Sequence, residues 1–500
     1  MTLTIVIIYL ITLIAVGVLG KRRSKNSEDF RVAGRRLGPF LYTGTMCAVV
    51  LGGASTVGGV GLGYTYGISG MWLVIAIAVG VLILSLCFAP MITRLRLYTV
   101  SQMLSLRYGT SATQVSSLVM LGYTLMLTVT STAAYASVFR VLFDIDRNWA
   151  ILLGSLVVIT YSLLGGMWSI TLTDMMQFVL ITIGMFFLLL PISLQQAGGY
   201  DGLRERLSAE YFQLGTMGTS SIITMFVIYT FGLLVGQDIW QRVFTARSPQ
   251  VARWGGTAAG LYVAAYGVAG AVIGMAGAAL EPHLESQDDA YATLAQNYLP
   301  PVLNGIVLAA AIAAMMSTSS GALIASVTVA RVDVVPYLRS LLGKEAAPTV
   351  TAGDQEVPVD NLNMMRQDRI YLIFFGIVTT LLAVFITDIV TGLTIAYDIL
   401  VGGLLVVILG GLIWKRGNGA GATAAMLTGS IGVLASMPIF GVLANEPIYI
   451  GLGLSLVSFV VVSLLTKPTD PQVMQAWNER LSAGRQAGTQ QTSTAAKPAN

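Results

Sequence analysis

The chain has 500 residues, of which 55% are hydrophobic and only 10% are charged, and its formal net charge is +4. A soluble domain carries about 25% charged residues, so the composition excludes an ordinary soluble protein and indicates an integral membrane protein. With one histidine and two cysteines, Cys47 and Cys87, the chain shows no disulfide or metal-binding pattern, and we do not expect an enzyme.

Apolar segments long enough to cross a bilayer recur along the whole chain. About 20 helical residues span a hydrocarbon core of about 30 Å, whereas the short alternating segments of a membrane β-barrel are missing from the sequence. We therefore predict an all-α integral membrane protein with about 13 transmembrane helices. The predicted spans are residues 3–20, 38–67, 71–92, 113–143, 149–165, 171–193, 220–240, 254–280, 301–330, 369–389, 391–414, 419–440 and 446–466.

Basic residues set the predicted orientation. The segments "KRRSKNSEDFRVAGRR" and "QRVFTARSPQVAR" are rich in Lys and Arg, whereas "EPHLESQDDAYATLAQNY" has neither. Because basic loops accumulate in the cytoplasm, we predict a plasma-membrane protein with its N-terminus outside and its C-terminus in the cytoplasm. This asymmetry explains the net charge, so no nucleic-acid partner is expected.

The first feature that suggests a site is the glycine-rich segment "GGASTVGGVGLGYTYGISG", residues 52–70. Each glycine in a helix costs about 1 kcal/mol relative to alanine, so the segment is predicted to unwind. Unwound backbone at membrane depth is tolerated where it lines a cavity, and its free carbonyls can coordinate a cation. Close packing of helices on small residues is the alternative explanation.

Polar side chains at membrane depth give the second feature. In the run "STSS", Ser317 and Ser320 share one helix face and Thr318 lies about 100° around. Hydroxyl and carbonyl oxygens suit a hard cation such as sodium, although such hydroxyls also bond to nearby helix carbonyls. Asp174 is a functional candidate because it is ionisable within an apolar segment; alternatively, it is an interfacial carboxylate at a helix terminus.

Five segments, in this order, resemble the sodium/solute symporter family: "EDFRVAGRRLGPF", "GGASTVGG", "YSLLGGMWSITLTDMMQ", "GQDIWQRVFTARSPQVAR" and "LAAAIAAMMSTSS". The resemblance implies the leucine-transporter fold, in which two inverted repeats of five helices each begin with a broken helix. The implied units are listed here: 1–37, an N-terminal helix and basic cytoplasmic loop; 38–414, a transporter core with repeats at 38–193 and 220–414; 415–469, two accessory helices; and 470–500, a disordered cytoplasmic tail rich in Gln, Ala, Ser and Thr.

The resemblance also implies ligands by position. The family's common sodium site would comprise the carbonyls of Ala54, Val57 and Ala314 and the hydroxyls of Ser317 and Thr318. A second sodium, found in some members, would be bound by Asp174 and Ser320, although Gly321 stands where those members have another hydroxyl. For the transport mechanism, apart from the resemblance, we expect solute contacts from Thr56 and the unwound backbone, with Tyr229 and Gln237 as further candidates.

The predicted function is sodium-coupled secondary active uptake of a small organic solute by alternating access, in a monomeric protein within the lipid bilayer. A pocket poor in charge and amides favours a short monocarboxylate or a neutral amino acid. Relatives that resemble the sodium/proline symporters have an acid at the position of Thr56, and sialic-acid relatives have an embedded arginine that "LGYTLMLTVTSTAAYASVF" lacks; both differences argue against those solutes. A channel or a transporter-like membrane sensor is the alternative.

Overall fold

The computed structural model describes residues 1–143, 145–342, 361–386 and 388–480. All regular secondary-structure elements in these residues are helices. The α-helices are α1 (Thr2–Arg23), α2 (Ser27–Val32), α3 (Pro39–Val50), α4 (Gly59–Tyr66), α5 (Trp72–Ile83), α6 (Ala89–Leu95), α7 (Val100–Tyr108), α8 (Thr110–Phe143), α9 (Arg147–Gly165), α10 (Met167–Thr182), α11 (Leu190–Gln196), α12 (Gly199–Arg206), α13 (Thr219–Met225), α14 (Phe231–Val235), α15 (Gln237–Thr245), α16 (Pro249–Leu280), α17 (Ala290–Tyr298), α18 (Pro301–Val329), α19 (Val335–Leu341), α20 (Asn361–Ala383), α21 (Ile389–Leu400), α22 (Val406–Ile413), α23 (Gly419–Phe440) and α24 (Glu446–Leu465). The π-helical segments are Ala54–Gly58, Leu84–Phe88, Ile183–Leu189, Phe226–Thr230, Ala330–Val334 and Val401–Leu405.

Within the described residues, ten helical stretches are long and apolar enough to cross a membrane, or eleven if the bent pair Thr219–Val235 and Gln237–Thr245 forms one span. The predicted number of about 13 spans is higher than this count for two reasons. The predicted spans 38–67 and 71–92 are counted within one helical stretch, Ala54–Leu95, although the backbone turns between them at Gly67, where φ is 63° and ψ is −142°. Helix α20, which corresponds to the predicted span 369–389, carries charged residues in its first half.

Helix α18 forms the centre of the bundle and packs against α8, α10, α1 and α20. Its residues are buried without interruption from Val307 to Val329, as expected for a helix that is apolar on all sides. Its many alanines allow neighbouring helices to approach closely. The hydroxyl run 317–320 therefore lies in the protein core and does not face lipid.

Two helices are broken, the first next to a glycine and the second at one. The first broken helix consists of α3, the Ala54–Gly58 segment and α4, and it is interrupted where Leu51 has φ −90° and ψ 70°. The second consists of α13, α14 and α15; Gly236 has an extended backbone, and the axis bends there by 44°.

The predicted unwinding of residues 52–70 is wrong in extent, because helical backbone resumes at Gly53. Most of the other glycines in this segment allow close packing instead. A Cβ at Gly63, for example, would lie 2.5 Å from the backbone oxygen of Ala271 in α16. The helix-packing alternative thus explains most of the glycine content. The first pair lies at the break before Ala54, and Gly67, with φ 63° and ψ −142°, ends α4.

The first and second broken helices are joined at one end by main-chain hydrogen bonds. The amide of Leu37 donates to the carbonyl of Thr245 at 3.0 Å, and the amide of Arg247 donates to the carbonyl of Leu37 at 3.0 Å. These bonds form an isolated parallel β-bridge between Leu37 and Ala246. The start of α3 and the end of α15 are therefore adjacent.

The first residues of the segment predicted to be a disordered tail form a helix in the structure. Residues 471–480 are helical, and the side chain of Trp477 is buried. Val473, Ala476 and Trp477 recur at helical spacing on one side of this segment, where they line a surface pocket with α7. Burial of this apolar stripe against α7 stabilises the helix on the protein surface. Residues 481–500 of the predicted tail lie outside the described residues.

Candidate functional site

A small cavity of about 30 Å³ lies between the two helix breaks. It has room for roughly one water-sized particle. Helix termini on two sides provide unpaired main-chain groups, which suit ion and solute binding. The cavity is lined by Val49, Val50, Gly52, Gly53, Ala54 and Ser55 of the first broken helix, Leu233, Asp238 and Ile239 of the second, Ile77 of α5, Leu127, Thr130 and Ser131 of α8, Thr318 of α18, and Ile389, Leu393 and Tyr397 of α21.

The hydroxyls of Ser317 and Thr318 both face the first broken helix. Ser317 Oγ donates to the carbonyl of Ala48 at 2.7 Å and to that of Ala314 at 2.8 Å. Thr318 Oγ1 donates to the carbonyl of Val49 at 2.8 Å and lies 3.4 Å from the Ala314 oxygen. Three of the five predicted sodium ligands, the two hydroxyls and the Ala314 carbonyl, are therefore together.

The remaining two predicted ligands belong to the π-helical segment just after the break. Ala54 lines the same cavity as Thr318, whereas Val57 does not line it. The carbonyls that the two hydroxyls contact are instead those of Ala48 and Val49, one turn before the break. Sequence reasoning missed these two, because nothing in an apolar stretch shows which carbonyls face a neighbouring helix.

Gly52 makes the close approach of the broken helix to α18 possible. A Cβ at this position would lie 2.7 Å from Thr318 Oγ1 and 3.1 Å from Thr318 Cβ. A larger residue would displace the Thr318 side chain, since atoms at such distances overlap. The first glycine of the "GG" pair therefore positions a predicted sodium ligand.

The variant Gly52→Ala is expected to raise the sodium concentration for half-maximal uptake, because the added methyl group pushes Thr318 Oγ1 away. Gly122→Ala in α8 is the matched control, since a Cβ there would meet no atom within 4 Å and alanine favours a helix by about 1 kcal/mol. Sodium titrations of uptake check both variants. An unchanged titration for Gly52→Ala would show that Thr318 is not a ligand.

Asp174 is fully buried and ion-paired. Its Oδ2 lies 3.0 Å from a guanidinium nitrogen of Arg242, which is also fully buried, and it accepts a hydrogen bond from Thr45. Its Oδ1 has no partner among the described residues. Helix α10 begins at Met167, two turns earlier, so the alternative that Asp174 is an interfacial carboxylate at a helix terminus is wrong.

The region predicted for a second sodium thus already contains a cation. The Arg242 guanidinium lies 3.0 Å from the position of a Cβ on Gly321, and Ser320 Oγ donates to the Ser317 carbonyl at 3.0 Å. The sequence predicts a cytoplasmic loop at the basic segment "QRVFTARSPQVAR", but its Arg242 lies buried inside the bundle on α15. A buried acid such as Asp174, which requires a counter-charge, was the signal that could have revealed it.

The three predicted solute contacts lie at other positions and do not line the cavity. Thr56 Oγ1 accepts a hydrogen bond from Tyr266 at 3.0 Å, and the Tyr229 hydroxyl lies 3.0 Å from that of Thr394. The Gln237 amide accepts from the Val100 amide at 2.9 Å and also donates to a neighbouring carbonyl. Gln237 thereby positions the start of α7.

The polar side chains that the cavity does contain include one that the sequence interpretation missed. Asp238 is 2% exposed, and the Tyr123 hydroxyl donates to its Oδ1 at 2.8 Å. The sequence offers a signal for it in "GQDIWQR", where an acid stands two residues after Gly236 at the end of the predicted span 220–240.

Comparison with known proteins agrees with this arrangement. The sequence pattern of the sodium:solute symporter family matches residues 30–429. The sodium/proline symporters of Staphylococcus aureus strains JH9 and JH1 are each 24% identical to this chain over 501 aligned residues, which cover 93% of each chain. The matched family and these relatives are transporters.

A solved structure shows the same fold. The substrate-bound, outward-open structure of a Na⁺-coupled sialic acid symporter superposes with a TM-score of 0.80 at 18% identity and covers 94% of this chain and 98% of that chain. The all-helical architecture with two broken helices is therefore the leucine-transporter fold that the resemblance implied. Because the family pattern covers most of the chain, the protein belongs to the sodium:solute symporter family.

Proposed function

We propose that this sodium-coupled symporter uses the inward sodium gradient to take up a small organic solute by alternating access. The observation that carries the proposal is the cavity between the two helix breaks, one wall of which is the sodium-ligand candidate Thr318. A short monocarboxylate or a neutral amino acid is larger than this cavity of about 30 Å³, so the surrounding helices have to move apart to admit it, as alternating access requires. We further propose that the protein is a monomer in the plasma membrane, with its N-terminus outside.

The proposed common sodium site comprises the carbonyls of Ala54, Val57 and Ala314 and the hydroxyls of Ser317 and Thr318. It is supported by the hydrogen bonds that these hydroxyls make to the first broken helix. Sodium would replace some of those bonds and join α18 to the helix after the break. If sodium orders the solute cavity in this way, thermodynamic reciprocity requires the solute to raise sodium affinity by the same factor.

The proposed second sodium site consists of Asp174 and Ser320. The unpartnered Oδ1 of Asp174 supports it, because this oxygen remains available to a cation. The pair with Arg242 opposes it, because the guanidinium already balances the carboxylate. The number of sodium ions per solute therefore depends on whether sodium shares the carboxylate with Arg242.

The purified protein in proteoliposomes provides the test. An imposed inward sodium gradient should drive accumulation of members of a panel of short monocarboxylates and neutral amino acids. A sodium ionophore that collapses the gradient should abolish accumulation and leave only equilibration. Accumulation that is unaffected by the ionophore, or equal in potassium, would contradict sodium coupling.

Single cysteines test the proposed orientation. Gln250 is exposed at the start of α16 and Glu285 is exposed in the loop after its end, so each can be replaced by cysteine in a background lacking the buried Cys47 and the exposed Cys87. In intact cells a membrane-impermeant thiol reagent should label position 285 and leave position 250 unlabelled. The reverse pattern would invert the orientation, and labelling in permeabilised cells controls for accessibility.

A further inference from the structure

The Asp238 carboxylate is the only acidic side chain among the described residues that line the cavity between the helix breaks. It lies in the first turn of α15, directly after the break at Gly236. A carboxylate there benefits from the helix dipole and from the unpaired amides of the first turn. The Tyr123 hydroxyl, at 2.8 Å, fixes one of its oxygens.

No basic side chain in the described part of the chain forms an ion pair with Asp238. The nearest basic residue along α15 is Arg242, one turn later, and its guanidinium is paired with Asp174. Two buried acids on neighbouring helices thus have one buried arginine between them. The Tyr123 hydroxyl and the first-turn amides of Asp238 and Ile239 donate to the Asp238 carboxylate, and Arg242 acts on it from a distance. A buried charge is best balanced by a direct counter-charge, which a cation entering the cavity would supply.

The cavity walls also suit the organic part of a solute. Apart from Asp238, Thr318 and the hydroxyl residues Ser55, Thr130 and Ser131, the side chains that line the cavity are aliphatic or aromatic. Tyr397 adds an aromatic wall, and its ring centroid lies 5.6 Å from those of Tyr123 and Tyr229. An aromatic surface beside a carboxylate binds an ammonium group through cation–π and hydrogen-bond contacts.

Gly232 shows that this aromatic wall is built into the packing. A Cβ at Gly232 would lie 2.1 Å from a ring carbon of Tyr397, so the second broken helix needs a glycine where the ring lies against it. The ring is thereby held between the broken helix and α21. The carboxylate and the aromatic surface are consequently parts of one preformed wall.

Acidic residues also lie on the loop next to the first broken helix. A Cβ on Gly61 of α4 would lie 3.3 Å from Asp288 Oδ1, and Asp388 caps the helix whose first residue, Ile389, lines the cavity. Burial and the neighbouring acids Asp388 and Asp289 raise the pKa of Asp288 to about 6. A region with charges of one sign concentrates ions of the opposite sign, here cations.

We propose that Asp238 receives the protonated amine of the transported solute, with Tyr397 as the adjoining aromatic wall. This assignment, which rests on the proposed sodium-coupled uptake, narrows the solute to an amine or an amino acid and excludes a plain monocarboxylate. A monocarboxylate would bring a second negative charge into a cavity that already contains one. An ammonium group instead neutralises the carboxylate.

Matched pairs of solutes test the assignment on the wild-type protein. In proteoliposomes on a solid-supported membrane, sodium-dependent currents are recorded with L-alanine and propionate, with L-valine and isovalerate, and with propylamine. The members of each acid pair differ mainly in the amino group. The amine-bearing member should give the current, and its desamino counterpart should give none at the same concentration.

The variant Asp238→Asn keeps the shape of the side chain and removes the charge. It should raise the half-saturating concentration of the amine-bearing solute at least about tenfold. The shift in melting temperature that sodium alone produces on the purified protein should stay the same. Asp398→Asn is the matched control, because Asp398 is also a fully buried carboxylate but does not line the cavity; it should leave the solute preference unchanged.

The outcomes separate this inference from the function on which it rests. Sodium-dependent currents with propionate or isovalerate, or equal currents from both members of a pair, would overturn the role of Asp238 and leave sodium-coupled uptake intact. Loss of the sodium-induced melting shift in Asp238→Asn would make Asp238 a sodium ligand and also overturn the inference. A wild-type protein with neither a sodium-induced shift nor any sodium-dependent current would contradict the proposed function itself.

Discussion

Replacing either Ser317 or Thr318 by alanine is expected to raise the sodium concentration for half-maximal uptake by at least about tenfold, because hydrogen bonds or ligands to a charged group contribute about 1.5–3 kcal/mol. Each substitution removes one oxygen from the proposed common sodium site. Each also removes a hydrogen bond from α18 to the first broken helix. Sodium titration of uptake measures the effect.

Ser326→Ala is the matched control for these two variants. Ser326 is a buried hydroxyl on the same helix, but it donates only to the Ala322 carbonyl one turn earlier, at 3.0 Å. Its replacement should leave the sodium dependence unchanged, and all three variants should insert into the membrane equally well. If Ser317→Ala and Thr318→Ala behave like Ser326→Ala, both hydroxyls serve packing alone and the site is elsewhere.

The second large effect is expected from Arg242→Gln. Removing one member of a buried ion pair costs about 3–5 kcal/mol, since the other charge is left uncompensated. Asp174 would keep only its hydrogen bond from Thr45. The melting temperature of the detergent-purified protein should fall strongly, and Asp174→Asn should have a comparable effect.

The double variant Asp174→Asn/Arg242→Gln should recover part of the lost stability, because neither buried charge remains without a partner. Glu28→Gln is the control: Glu28 pairs with Arg35 with its side chain 45% exposed, and exposed pairs contribute only about 0–1 kcal/mol. Strictly additive losses in the double variant would show that Asp174 and Arg242 do not stabilise each other.

Asp174→Asn also addresses the number of sodium ions. If sodium shares the free Oδ1 of Asp174 with Arg242, the Hill coefficient of sodium-dependent uptake should be above one in the wild type and should fall toward one in the variant. Reversal potentials give the stoichiometry independently. A wild-type coefficient near one would leave Asp174 solely as the partner of Arg242.

The fold and the family could be predicted from the sequence because each depends on features spread along the chain. Long apolar segments, the "GG" pair and the hydroxyl run are local patterns, and each is present where expected. The partners of Asp174 and of Ser317 could not be predicted, because they depend on which faces of distant helices meet. Arg242 illustrates the limit: a base near the end of an apolar segment has the same local pattern whether it lies in a loop or in the core.

The extent of the helix break was overestimated for a related reason. Glycine permits both an irregular backbone and a close helix contact, and the sequence alone does not separate the two. At Gly63 the neighbour is the backbone of α16, whereas at Gly52 it is the Thr318 side chain. Both glycines thus allow a close contact, and the irregular backbone of the break lies at the neighbouring Leu51; only the three-dimensional structure shows where the helix is interrupted.

The bridge between Leu37 and Ala246 has a mechanical consequence. Its two bonds are made by main-chain atoms, so they persist whatever side chains stand at these positions, and they clamp the start of the first broken helix to the end of the second. The start of the first broken helix and the end of the second are therefore expected to move together. Relative movement of the broken helices is thereby confined to the parts beyond this connection, and it can occur about the irregular backbone at the two breaks, Leu51 and Gly236.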